Sequence, residues 1–327
     1  MERKVLRVST FVIVSALLLR LLSGLLPILP SQAVSVMLFL QTGRLVRPGN
    51  ILFTPDTTQP TDTTHPTTDV TQPETQQQLP VFSAGDAALI AINSGFSYEA
   101  DLPALLTKPL SWDLTTDAPT VLILHSHGSE SYAPTGEYGE VSPYHTLEND
   151  HNMISVGDYV AQLLEAAGIS VLHDTALHDQ PSYNAAYNNS RKSMQQYLAD
   201  YPSIQLVLDL HRDSIEDAAG NQVVQTVFAE DQTYAPLMLV VGTDHGGLNH
   251  PQWQENLALG LKLQTQLEGL CPGICRKLNL RTQRFNQDLS PGALLIEVGS
   301  SGNSRQDALR SAKVLADAII SLANGSR

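Results

Sequence analysis

Residues 120–127 read Thr-Val-Leu-Ile-Leu-His-Ser-His, and this stretch carries both the argument for the fold and the first sign of chemistry. Its five leading positions are apolar or β-branched. A strand with one face in water alternates apolar and polar residues, so an unbroken run belongs to a strand covered on both faces. Four more runs share this character: ISVLHD from Ile169, IQLVLDLHR from Ile204, APLMLVVG from Ala235 and ALLIEVG from Ala293. Between them, residues 152–167, 184–199, 252–267 and 304–323 carry apolar positions at helical spacing, with Gly168 as a stop after the first. A short strand-like entry at 81–98 precedes them. Strand and helix in alternation predict an α/β fold, a mostly parallel twisted sheet with helices on both faces.

Three of these strands end in ionisable residues: His125-Ser126-His127-Gly128-Ser129-Glu130, then Asp209-Leu210-His211-Arg212-Asp213, then Glu297 inside LLIEVGS. The carboxyl ends of strands line the ligand crevice of open α/β sheets. Two imidazoles and a carboxylate with an open position form a common catalytic zinc shell. A single strand-end histidine is ordinarily just hydrogen-bonded, but three polar ends on otherwise apolar runs point to a site. Glu297, flanked by Leu295, Ile296 and Val298, is costly to bury without a partner. A serine hydrolase would need G-x-S-x-G at a strand–helix turn. Ser129 in HGSES and Ser300 in VGSSG do not supply it, and there is no glycine-rich phosphate loop, HExxH or CxxC.

The 327 residues carry a formal net charge of −14. The first 47 positions hold Arg3, Lys4, Arg7, Arg20, Arg44 and Arg47 against Glu2 alone, so the remainder is more acidic still. An acidic body lacks the basic stripe that binding nucleic acid requires. Residues 8–29 are mostly apolar behind a basic start, and a helix of that length spans about 33 Å, enough for a bilayer core. Arg20 interrupts the run at a cost of about 2.5–3.5 kcal/mol at mid-membrane. The alternative is a cleaved signal peptide ending near Ser31-Gln32-Ala33, for which the apolar run is long. Either reading exports the body. Residues 54–80 are dominated by Thr, Pro and Gln with no apolar period, which predicts a solvated tether. The organisation read from the chain is thus a cytoplasmic tip and transmembrane anchor at 1–33, an extracytoplasmic tether at 34–80, and a folded domain at 81–327. Cys271 and Cys275, the only two cysteines, exclude a disulfide framework and a four-cysteine zinc site. In CPGIC they are either small apolar residues beside a turn or a local disulfide.

The motifs HSHGSESY (125–132), HDQPSYNAAYNNSR (178–191), LDLHRDS (208–214) and FNQDLSPGALLIEVGS (285–300) resemble, in order and spacing, the stage II sporulation protein P family. These are membrane-anchored cell-wall hydrolases of endospore-forming bacteria, similar in turn to zinc-dependent N-acetylmuramoyl-L-alanine amidases. The resemblance implies Zn2+ held by His127, Glu148 and His211, with Asp150 the rival for the acidic position, and Glu297 as the catalytic glutamate. It implies substrate-binding or supporting roles for His125, Tyr183, Asn184, Tyr187, Arg191 and Arg212, with Arg191 and Arg212 facing stem-peptide carboxylates or paired with an Asp. His178 reads as structural. Peptidoglycan is the implied substrate, cut at the muramoyl–L-alanine amide and at peptide cross-links. Stage II sporulation proteins D and M are the implied partners during forespore engulfment. A carboxypeptidase-like metallohydrolase and a non-catalytic wall-binding module are the competing readings.

Overall fold

In the computed structural model, which describes residues 82–325 other than Ser111, the five apolar runs supply five strands of one seven-stranded sheet. The strands are β1 (Ile92–Ser94), β2 (Val121–Leu124), β3 (Val171–His173), β4 (Leu206–Asp213), β7 (Leu237–Gly242), β8 (Leu278–Arg281) and β9 (Ala293–Ser300). Their order is β1-β8-β7-β9-β4-β2-β3. Two further strands, β5 (Val227–Ala229) and β6 (Gln232–Tyr234), form a separate antiparallel ribbon. All neighbours in the large sheet run parallel except β7 and β9. The sheet is therefore mixed, with β1, β8 and β7 opposed to the rest. Apolarity on both faces reports that a strand is covered and carries no information about its direction.

The helices are α1 (Leu102–Thr107), α2 (Met153–Ala166), α3 (Ala186–Asp200), α4 (Trp253–Leu270) and α5 (Arg305–Ala323). Asn152 caps α2 by accepting from Ile154 N–H, and Ser304 caps α5 by accepting from Asp307 N–H. Val156 of α2, Leu257 of α4 and Leu315 of α5 share the main core with Val121, Ile123, Leu208, Leu210, Leu239 and Ile296 of the sheet. The opposite face packs Met194 of α3 on Leu122, Leu124 and Val207. Farther along that face, Met238, Val240 and Leu295 meet Tyr187 and Phe285.

This division positions the site. Side chains alternate across a strand, so with Leu208, Leu210, Ile296 and Val298 in the main core, Asp209, His211 and Glu297 point to the α3 face. His211 and Glu297 stand opposite one another in the β4–β9 register. The anchor expected at 1–33 and the tether at 34–80 lie outside the described residues. Among the described residues no helix is long and apolar enough to cross a membrane. Cys271 and Cys275 are free thiols.

Candidate metal centre

The turn after β2 closes on itself, with Glu130 N–H donating to His127 C=O at 3.3 Å. That return sets Oε1 of Glu130 3.6 Å from Nδ1 of His127. From β4, His211 brings its own Nδ1 to 3.6 Å from Oε2 of the same carboxylate. His127, Glu130 and His211 thus offer one donor atom each, all within 4.8 Å of one another. Two imidazole nitrogens and one carboxylate oxygen suit a zinc-type ion with positions left for water and substrate.

The surrounding groups prepare these donors. Nε2 of His211 lies 2.8 Å from Asp209 Oδ1. A carboxylate only accepts, so Nε2 carries the proton and Nδ1 turns to the cluster. Asp209 is itself fixed by Ser126, whose N–H and Oγ–H donate to it at 2.8 and 2.6 Å. Burial alone would lower the His211 imidazole, but the Asp209 and Glu130 carboxylates hold it well above its ordinary value. Carboxylates that draw a proton there would draw a metal ion in its place. Burial would likewise raise the Glu130 carboxyl, yet the Arg212 cation and the His127 and His211 rings keep it well below the usual range. Tyr183 stacks on His127 with ring centroids 4.2 Å apart, and Tyr187 lies parallel to His211 at 6.2 Å.

Glu297 joins this group without belonging to the donor set. Its Oε2 is buried and has no hydrogen-bond partner. Burial pushes its carboxyl up to about 8; His211 opposes that rise while Glu130 and Asp213 add to it. A carboxyl group beside the His211 imidazole, with an oxygen that meets no partner among the described residues, is equipped to exchange a proton with a bound water.

The remaining sequence-derived candidates separate. Glu148 and Asp150 are exposed, and Glu148 Oε1 accepts from Gly139 N–H at 2.9 Å. The acidic member of the cluster is therefore Glu130, not Glu148 or Asp150. His125 falls on the main-core side, continuing the Val121 and Ile123 face. Its Nδ1 is 2.9 Å from Leu210 C=O, its Nε2 is 2.9 Å from His173 Nε2, and burial pushes it down to about 3. Arg212 is buried and donates to the carbonyls of Ser131 and Tyr144 at 2.9 and 2.8 Å while lying 3.6 Å from Glu130. It orients the Glu130 carboxylate. Arg191 is bonded in bidentate fashion to Asp288 at 2.8 and 2.7 Å, the Asp-paired alternative. Asn184 is exposed on the turn beside Tyr183, and His178 bonds to Asp174 at 2.9 Å. Two members of the site, Glu130 and Asp209, were not singled out from the sequence. Their signals were local: Glu130 lies three residues past His127 in a turn, and Asp209 lies two before His211 on a strand and so shares its face.

The family model described as Stage II sporulation protein P (SpoIIP) matches residues 54–320. Stage II sporulation protein P of Bacillus subtilis (strain 168) is 28% identical over 214 residues, covering 62% of this chain and 51% of that protein. The chain spans about half the length of this curated relative. Among solved structures, the N-acetylmuramoyl-L-alanine amidase AmiC2 of Nostoc punctiforme is similar with a TM-score of 0.37 and 14% identity, over 62% of this chain and 94% of that one. The N-acetylmuramyl-L-alanine amidase Ami1 of Mycobacterium smegmatis gives a TM-score of 0.40 and 12% identity, over 64% and 98%.

Proposed function

Because the chain belongs to the stage II sporulation protein P family, we propose that it is a zinc-dependent peptidoglycan hydrolase that cuts the amide between N-acetylmuramic acid and L-alanine. One observation carries this reading. His127, Glu130 and His211 converge on one point, and Glu297, opposite His211 in the sheet register, holds a buried Oε2 with no partner among the described residues. A wall-binding module has no use for such a convergence.

His127, Glu130 and His211 would hold the metal. When bound, it supplies Lewis acidity and lowers the pKa of a coordinated water toward neutrality. The other steps fall to this chain's own residues. Asp209 fixes the His211 tautomer, and Arg212 holds Glu130 ionised in a buried place. Tyr183 and Tyr187 wall the site. Glu297 takes a proton from the attacking water at Oε2 and returns it to the departing amine nitrogen of L-alanine. Within this reading residues 8–29 anchor the chain in the membrane, and the Thr/Pro/Gln-rich tether carries the catalytic domain outside. Stage II sporulation proteins D and M are its partners in forespore engulfment, and peptide cross-links are a second target.

Digestion of purified peptidoglycan by the full-length chain, with products separated by mass, tests the reaction. An amidase leaves unsubstituted glycan and stem peptides that begin with a free L-alanine amine. Loss of carboxy-terminal residues from stems still attached to glycan would replace this reading with the carboxypeptidase-like one, and no product at all would support a binding module. Retention in the membrane after a high-salt wash tests the anchor.

A further inference from the structure

A cavity of about 330 Å³ opens beside Glu297 on the α3 face of the sheet. Its walls include Asp213, Arg276, Asn279, Arg281 and Phe285. Strand alternation explains why. Leu278 and Leu280 of β8 lie in the main core, so Asn279 and Arg281 project to the same side as Glu297. Phe285 forms one wall, at a backbone φ of 50°, next to Asn286 at 59°. Asn286 Nδ2 ties that loop to the Tyr187 carbonyl at 2.9 Å.

The charges in this cavity are unequal. Arg276 Nη1 lies 2.6 Å from Asp213 Oδ2, so these two satisfy one another. Glu297 also lines it. Arg281 is exposed, and among the described residues it has no ion pair and no side-chain hydrogen bond. The two arginines that the sequence suggested for stem carboxylates are both engaged, Arg191 by Asp288 and Arg212 by Glu130. Arg281 is the guanidinium in this cavity left for a ligand, in a chain whose overall charge is −14.

The sheet register gives the reach. Glu297 pairs with Met238, and Gly242, four residues along β7, pairs with Arg281 on β8. At about 3.3 Å per residue and about 4.8 Å per strand, the two Cα positions are about 16 Å apart. Both side chains leave the sheet on the same face, so this separation corresponds to at most about five residues of extended peptide.

We propose that Arg281 is a specificity-determining residue that binds a carboxylate of the stem peptide, with the stem laid across β9, β7 and β8 and its acidic group within about five residues of the bond being cut. Guanidinium and carboxylate match in planar geometry and pair through two parallel hydrogen bonds. Asn279, whose Oδ1 accepts from Asn93 at 3.5 Å, offers its amide N–H groups along the same path. This rests on the peptidoglycan reading above.

The test compares two muramoyl-peptide substrates with the full-length chain, one with free stem carboxylates and one with those carboxylates amidated. The parent enzyme should prefer the free acid in kcat/KM by about ten- to a hundredfold, the value of a charge-assisted pair. Arg281→Gln should bring that ratio close to one, chiefly through KM, and Arg281→Lys should restore part of it. A ratio unchanged by Arg281→Gln overturns the proposal. If the parent cleaves neither substrate, the proposed reaction is what fails, and calorimetric titration with the isolated stem peptide still decides the point. Weaker binding by Arg281→Gln at unchanged melting temperature supports the carboxylate site, and equal binding refutes it.

Discussion

Asp209 and His211 lie two residues apart on one strand, on one face, joined by a hydrogen bond of 2.8 Å from the imidazole Nε2 to the carboxylate. The nitrogen that His211 turns toward His127 and Glu130 is thereby set by a residue outside that cluster. Such supporting carboxylates are typically worth about 10- to 100-fold in metal affinity. Asp209→Ala should weaken zinc binding by that factor, read by competition with a chromophoric chelator in the full-length chain. An unchanged affinity would show that His211 keeps its orientation through packing alone.

The His125–His173 contact leads to a prediction about stability. A Cβ on Gly157 of α2 would come within 2.5 Å of Nε2 of both rings. Both rings are held, His125 by the Leu210 carbonyl and His173 by Asp158, at 2.9 Å each. Gly157→Ala should therefore cost about 1–3 kcal/mol, the usual penalty for overpacking a core. Urea unfolding of this variant measures it, and a midpoint equal to the parent's would mean that the rings yield freely.

Strands buried on both faces were legible because their apolar runs were unbroken: TVLIL, IQLVLDL and ALLIEV all lie in interior strands. Residues 278–281 escaped notice because Leu-Asn-Leu-Arg alternates, one face in the core and one toward the cavity. The reversal of β7 against β9 left no mark in composition, since direction depends on the connections. Within the site, histidines that end apolar runs were conspicuous. Glu130 was passed over because the resemblance pointed to Glu148 or Asp150 for the acidic position, and not to the tight turn beginning at His127. Glu148 and Asp150 both face solvent.

Lys262 offers a test of pH dependence well away from the metal cluster. Its Nζ donates at 2.8 Å to the Leu105 carbonyl. That carbonyl ends α1, and Pro109 has no N–H to satisfy it. Burial, with the Lys108 cation adding to it, pushes the ammonium down to about 8. The unfolded value is near 10.4. Below pH 8 both states are protonated and folding bears the full cost of the buried charge. Between about 8 and 10.4 the folded chain releases its proton first, so stability rises with pH through that window. Lys262→Met abolishes this component. The parent's melting temperature minus the variant's should increase from pH 7.5 to 9.5, and a constant difference would mean that Lys262 titrates normally.

Metal content and turnover should part company among the acidic residues. Glu130 stands between the two imidazoles, so Glu130→Ala, like His127→Ala and His211→Ala, removes a donor and should lose zinc and hydrolysis together. Glu148 is engaged with Gly139 at the surface, so Glu148→Gln should retain parental zinc. Glu297 stands opposite His211 in register and outside the donor set, so Glu297→Gln should keep the metal while turnover falls by about 10²–10⁴, the usual worth of a general base. Parallel metal analysis and muropeptide release on the full-length variants separate these outcomes. Zinc lost from Glu148→Gln but kept by Glu130→Ala would return the acidic ligand to position 148. Zinc lost from Glu297→Gln would make Glu297 a ligand, leaving the proton transfer to another group.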